Sequence, residues 1–195
     1  MNTTTINPPI KVGAVVVPPL LPSPQLELKG VTFEFAMGNS NEAVQQVLLQ
    51  MYPLLQHKHK YVSVFVKPMH TTIGKPTCIE GWHFDTVENP LSFPDVTPEV
   101  HHIWVGYSND TTQFITTKVA LTLDGTEKLA DIRGMVEEQP YEVVSIPANT
   151  IVTYNRFNLH RGPICSAASY RLLVRVSETD IFFGAKKVGK IAITP

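Results

Sequence analysis

The spacing of apolar positions changes near residue 60, and the change divides the chain. Before it, Val44, Val47, Leu48, Met51 and Leu55 recur at helical spacing, which predicts an amphipathic helix opened by Asn39 or Ser40 as N-cap with Glu42 nearby. Pro53 kinks or ends this helix, because its ring removes a donor and clashes with the preceding turn. After residue 60 the repeat shortens to two. "YVSVFVKP", "GWHFD", "HHIWVGY", "TQFITTKVALTL", "YEVVSI", "TIVTYNRF" and "SYRLLVRVS" are rich in β-branched and aromatic residues, with turn-forming residues between most of them. "SNDT" predicts a hairpin turn between two of these strands, and "DGTEKLADIRGMVEEQP" a polar, partly helical excursion.

One main helix followed by about eight strands predicts a mainly β fold, an antiparallel sandwich or jelly roll with N-terminal helical cover. A chain of 195 residues suits a single domain. Within it, residues 1–25 read as a Pro-rich extended arm, 26–60 as a segment carrying the helix, and 61–195 as the β core. The arm is apolar at Val12, Val15, Val16, Val17, Leu20 and Leu21, so it packs on the body or on a partner chain. It is the candidate contact for a homo-oligomer.

Composition narrows the classes of function. With 43% apolar and 17% charged residues the chain is globular and not disordered. The net charge is −1, and the only basic cluster is "HKHK" at 57–60, so the electrostatic footprint of a nucleic-acid binder is missing. The N-terminus has no basic region ahead of its apolar run, and Pro18, Pro19, Pro22 and Pro24 interrupt that run; it is read as neither signal peptide nor membrane span. Two cysteines, Cys78 and Cys165, are too few for a disulfide framework, which makes a reducing cytoplasm the expected compartment. Whether they pair depends on distances that spacing does not supply.

The candidate chemistry begins at "GWHFDT", 81–86. On a strand His83 and Asp85 share one face while Trp82 and Phe84 fill the other, beneath cover such as the 41–55 helix. That geometry aims two ligands at one metal, or lets the pair hydrogen-bond each other on a solvated face. A further ligand is available at His160, near the start of a strand after "NLHRGP". In "SYRLLVRVS" Arg171, Leu173, Arg175 and Ser177 face one way and Leu172, Val174 and Val176 the other. Two arginines facing inward need an anion or carboxylate; on an edge strand they simply reach water. Tyr154, Arg156 and Asn158 share parity with His160 if their strand continues, and then line the same pocket. His57 and His59 alternate with lysines on a solvated face. His101 and His102 point to opposite faces, so at most one looks inward. The loop 86–100, with three prolines plus Leu91 and Phe93, reads as a lid or a proline-stiffened surface loop.

His83-x-Asp85, then His160, then Arg171 eleven residues later resembles the signature of the Fe(II)/2-oxoglutarate-dependent dioxygenases, including the phytanoyl-CoA hydroxylase-like and taurine dioxygenase-like members. The resemblance covers roughly 61–180 and leaves out the arm and first helix. It implies a double-stranded β-helix, a form of jelly roll, with His83, Asp85 and His160 as iron ligands. It also implies 2-oxoglutarate and dioxygen as co-substrates, and hydroxylation of a C–H bond with release of succinate and CO2. Arg171 is the expected grip for the distal carboxylate, because a guanidinium matches a carboxylate with two parallel hydrogen bonds. Arg175 is the alternative grip, or a second anion contact. Two other readings stay open: a cupin-like metalloenzyme that uses no 2-oxoglutarate, and a non-catalytic jelly-roll binding or assembly module.

Overall fold

Two long alternating segments set the centre of the molecule, β4 (Tyr61–His70) and β11 (Tyr170–Thr179). The computed structural model describes residues 2–6, 9–14, 23–56, 59–79, 81–85, 99–124 and 126–180. β4 and β11 pair antiparallel along their whole length, from Tyr61 opposite Thr179 to His70 opposite Tyr170. One alternate set in each is aliphatic and buried: Val62, Val64 and Val66 on β4, Leu172, Val174 and Val176 on β11. Helix α2 (Glu42–Met51) lies over that face, adding Val44, Val47, Leu48 and Met51 to the same cluster. The stripe read from the sequence is therefore core packing.

Around this pair a six-stranded antiparallel sheet runs in the order β2-β9-β5-β11-β4-β3, where β2 is Ile10–Ala14, β3 Leu26–Val31, β5 Val100–Gly106 and β9 Thr150–Asn155. β11 sits between β5 and β4, so its arginines are on an interior strand and not on an edge. A smaller sheet has the order β10-β6-β8, from His160–Arg161, Gln113–Ile115 and Val143–Ser145. An antiparallel bridge between His83 and His160 adds residue 83 beside β10. The chain passes from β4 to residue 83 on the small sheet and back to β5. It then crosses to β6 and β8, returns to β9, crosses to β10 and returns to β11. Ile103, Val105 and Leu173 of the large sheet meet Phe114 of the small one in the core between them.

Several expectations change. "SNDT" does not turn a hairpin: both edges of β5 are taken, by β9 and β11, while β6 pairs with β8 and β10. Tyr107, with φ 63°, takes the chain out of β5, and the polar residues that suit a hairpin serve a crossover equally well. "GWHFD" forms no extended strand; only His83 makes a ladder contact. Eleven strands occur among the described residues, more than the sequence pattern suggested. Two of them lie in the arm: β1 (Asn2–Ile6) pairs with β7 (Val119–Leu123), and β2 with β9. The helical cover is minor. α1 (Phe33–Gly38), capped by the Thr32 hydroxyl, was not visible in the pattern. It takes Asn39 as its C-cap and Ser40 as a side-chain donor to Ala36, leaving Asn41 to accept from Val44 N and cap α2. α2 ends at Met51, and Pro53 lies in the 3-10 turn Tyr52–Leu54 that follows.

The cover over Trp82 and Phe84 is also different. They pack with Ile132 and Val136 of α3 (Leu129–Glu137) and with Leu121 and Leu123 of β7, not with α2, which lies on the large sheet. α3 falls in the excursion expected to be partly helical, and Asp131 caps it by accepting from Lys128 N at 2.9 Å. Arg133 of α3 donates from Nε to the Trp82 carbonyl at 2.7 Å, and the Arg161 guanidinium lies over the Trp82 ring at 4.4 Å. Helix α3 is thus the clamp on the segment that carries His83 and Asp85. No helix among the described residues is long and apolar enough to cross a membrane.

Ile132→Ala is expected to lower unfolding stability by about 2–5 kcal/mol, through lost burial and an unfilled cavity. Val143→Ala, at a position 39% exposed, should stay within about 0.5 kcal/mol of the parent. Urea denaturation of both variants measures the difference.

Candidate metal centre

His83 and His160 are brought together by two reciprocal backbone bonds, His83 N to His160 O at 3.0 Å and His160 N to His83 O at 3.1 Å. Directly opposed residues of an antiparallel pair share a face, and the two rings stand 4.4 Å apart. Asp85, two residues on, completes a cluster in which one ligand atom from each residue lies within 4.8 Å of the others. Two donors each about 2.1 Å from one ion are at most about 4.2 Å apart. The cluster therefore needs only a small contraction to close on a metal.

Backbone carbonyls select which ring nitrogens face the cluster. Nδ1 of His83 is 3.1 Å from the Gly81 carbonyl and Nδ1 of His160 is 3.1 Å from the Asn158 carbonyl. A carbonyl only accepts, so each Nδ1 carries a proton in these bonds and each ring turns its Nε2 towards the cluster. His160 Nε2 lies 3.3 Å from Asp85 Oδ2. Metal-binding histidines are oriented in the same way by the partner of their second nitrogen.

Asp85 is held from behind. Arg175 Nη1 pairs with its Oδ1, and the Tyr154 hydroxyl donates to Oδ2. Burial alone raises the Asp85 pKa, but the charges of Arg175 and His160 overcome it and hold the carboxyl well below its ordinary 3.8. Arg175 is moved the opposite way: burial lowers its pKa, and Asp85 and Tyr154 outweigh that and raise it. Burial and the adjacent carboxylate push the Tyr154 phenol well above 10, so it remains a donor. A carboxylate has about four lone-pair sites, enough to keep these partners and still face a cation. His83 is lowered to about 4, by burial first and then by His160. It is thus uncharged at neutral pH.

The cluster opens on a cavity of about 220 Å³ lined by His83, Asp85 and His160 together with Arg175, Lys67 and Cys78 among others. Arg171 lies beside Cys78, outside that lining, and is fully buried. Its Nε donates to the Asp110 carbonyl at 3.1 Å, while Nη1 and Nη2 find no partner among the described residues. Burial lowers its pKa, and Cys78, Cys165 and Asp110 raise it again in part. Cys78 and Cys165 are both free thiols. Gly162 packs against Cys78: a Cβ there would lie 2.6 Å from Cys78 Sγ and 2.8 Å from Cys78 N, so only glycine lets the chain just past β10 approach so closely.

Of the three residues sharing parity with His160, Tyr154 reaches the cluster. Arg156 and Asn158 do not line the cavity: β9 ends at Asn155, a turn follows, and Asn158 Oδ1 accepts from Asn155 N. His101 and His102 do point to opposite faces. His101 Nδ1 bonds Ser177 Oγ at 2.8 Å, and its ring lies 5.0 Å from Tyr154 behind the cluster. His102 bonds Thr153 and Glu178 on the other side. His59 pairs with Asp180, His70 packs on Tyr170, and His57 lies outside the described residues, as does 86–98 of the loop read as a lid. Lys67 and Phe65 were overlooked as lining residues. The signal was present, because in "YVSVFVKP" they occupy the face opposite the valine stripe. No family model, curated protein or solved structure matches the chain.

Two buried histidines make the metal-free fold acid-sensitive. Burial holds His83 near 4 and His101 near 3, against 6.5 when exposed, so the unfolded chain binds protons that the native one refuses. Stability should be full above about pH 6.5 and fall as pH drops towards 4. His101→Gln should flatten part of that slope. Denaturant unfolding of the metal-free protein at pH 7, 5.5 and 4.5 measures it; equal stability at all three would contradict the burial argument.

Proposed function

We propose that the chain is a non-haem Fe(II)- and 2-oxoglutarate-dependent oxygenase that hydroxylates its substrate with release of succinate and CO2. The two sheets are read as the halves of a double-stranded β-helix, or jelly roll. What supports this is the order of crossings: β4, β5, β9 and β11 on the large sheet alternate with residue 83, the β6 and β8 pair, and β10 on the small one. Two imidazoles and one carboxylate form the donor set used by Fe(II) oxygenases with open coordination positions.

The observation that carries 2-oxoglutarate is Arg171. A guanidinium buried with two orphaned Nη groups is costly, and a co-substrate carboxylate supplies the missing acceptors with planar, two-bond geometry. A metal enzyme without this co-substrate leaves those donors unmatched. Arg175 is already paired with Asp85, which favours Arg171 as the grip.

His83, Asp85 and His160 would hold the iron, which when bound supplies the activation of dioxygen and the oxidation of a C–H bond. The rest is work of the chain. Backbone carbonyls fix the two imidazoles so that Nε2 faces the metal position. Tyr154 and Arg175 hold the Asp85 carboxylate ionised and oriented. Arg171 anchors the far end of 2-oxoglutarate, so its keto-acid end is turned towards the ligands. The apolar walls at Phe65, Ile103 and Leu173 keep water from the reacting centre. Ferrous iron and two free thiols both suit a reducing cytoplasm.

Adding Fe(II) and 2-oxoglutarate together without oxygen is expected to raise the melting temperature and to give a weak visible charge-transfer band. Absence of both would sink the oxygenase reading. His83→Ala and Asp85→Ala should abolish iron binding, measured by metal content after desalting. Arg171→Ala should leave iron bound and weaken 2-oxoglutarate by about a hundredfold in titrations of the band. A larger loss in Arg175→Ala would reverse the assignment of the grip.

A further inference from the structure

The inner face of the β4/β11 pair carries a row of three cations. Met69 lies opposite Arg171, Lys67 opposite Leu173, and Phe65 opposite Arg175. Lys67 is therefore diagonal to both arginines, a separation of about 7–8 Å between backbones that long side chains span. It lines the cavity and is half-buried. It has no hydrogen bond or ion pair with any described residue, whereas its neighbours are accounted for: Arg175 pairs with Asp85, and Arg171 is assigned the distal carboxylate of 2-oxoglutarate. The other carboxylate of 2-oxoglutarate lies at the metal end in that reading. Among the described residues, the Lys67 charge facing the cavity is left without a counter-charge.

Part of the lining is apolar. Phe65, Ile103 and Leu173 form the wall beside Lys67, and Ile79 lines the cavity while remaining 60% exposed. Two further exposed isoleucines, Ile73 at 66% and Ile164 at 54%, belong to the same pair of segments, which the Pro76–Ile164 bridge joins. An exposed aliphatic side chain on the lining of a cavity, as Ile79 is, offers a place where apolar ligand surface is covered.

Resting on the oxygenase reading, we infer that the primary substrate is a small amphiphilic anion whose charged group pairs with Lys67 and whose apolar body lies against Phe65, Leu173 and Ile79. Carboxylate, sulfonate and phosphate share the required chemistry. An ammonium is a point charge that accepts any of them, unlike the planar fork of arginine. The paired charge adds strength because the surrounding wall is apolar and excludes competing water.

The test uses the full chain as its anaerobic Fe(II)·2-oxoglutarate complex, with the visible band as readout. Hexanoate, hexane-1-sulfonate and hexyl phosphate are titrated as probes, with hexan-1-ol as the neutral control. At least one anion should perturb the band saturably where hexan-1-ol does not, and the comparison among the three identifies the head group. Lys67→Met keeps the apolar stem and removes the charge; it should weaken the effective anion by about tenfold or more while the 2-oxoglutarate titration stays within about twofold. Lys67→Arg should retain most of the anion response. Equal perturbation by hexan-1-ol, no response to any anion, or a Lys67→Met loss that falls on 2-oxoglutarate would each overturn the inference and leave the oxygenase reading standing. Failure of the band to form at all would overturn both.

Discussion

The reciprocal backbone pair between His83 and His160 is the constraint on which the rest depends. It joins a short segment, otherwise without ladder contacts, to the edge of the small sheet, and by opposing the two residues directly it turns both imidazoles to one side. Asp85, two residues further on, brings a carboxylate oxygen to the same cluster. Everything that holds residues 81–85 in place serves this pair: Trp82 and Phe84 buried against α3, Arg133 on the Trp82 carbonyl, and Arg161 over the Trp82 ring. A loss of packing at α3, 50 residues away in sequence from the histidine, is thereby a loss of ligand geometry.

The second theme is charge held away from water. Asp85, Arg175 and Tyr154 form a network in which the carboxylate is ionised because the guanidinium is present, and removing either one leaves the other uncompensated. Among the described residues Arg171 has no such partner for its Nη groups. A fold tolerates such a cost most readily where a ligand supplies the missing acceptor, and the proposed reading gives Arg171 that ligand. Lys67, by contrast, is half-buried and lines the cavity.

Much of the site was legible because period-two alternation is a hard geometric rule. It placed His83 with Asp85 and separated Arg171, Leu173 and Arg175 from the valine and leucine face that meets α2. It also foretold the opposite faces of His101 and His102. It could not decide whether β11 was an edge or an interior strand, since that depends on which strands pair with it. Long-range pairing likewise decided the crossover at "SNDT", the return of the arm as β1 and β2, and the cover of Trp82 by α3 instead of α2. The turn at residues 156–157 broke the parity that would have carried Arg156 and Asn158 inward with Tyr154. Tyr154 as a donor to Asp85 is a contact across 69 residues, and nothing local announces it. Lys67 was legible by the same alternation as Arg175, on a strand whose valines drew attention to the other face.

In the proposed function, one metal and one dicarboxylate share the space between the His83–Asp85–His160 cluster and Arg171. The most direct measurement is an anaerobic crystal structure of the full chain with 2-oxoglutarate and Mn(II), which stands in for Fe(II) without its redox chemistry. The expected result is an anomalous peak ligated by His83, Asp85 and His160, with 2-oxoglutarate reaching from it to both Nη groups of Arg171. A peak elsewhere, or 2-oxoglutarate bound away from Arg171, would contradict it.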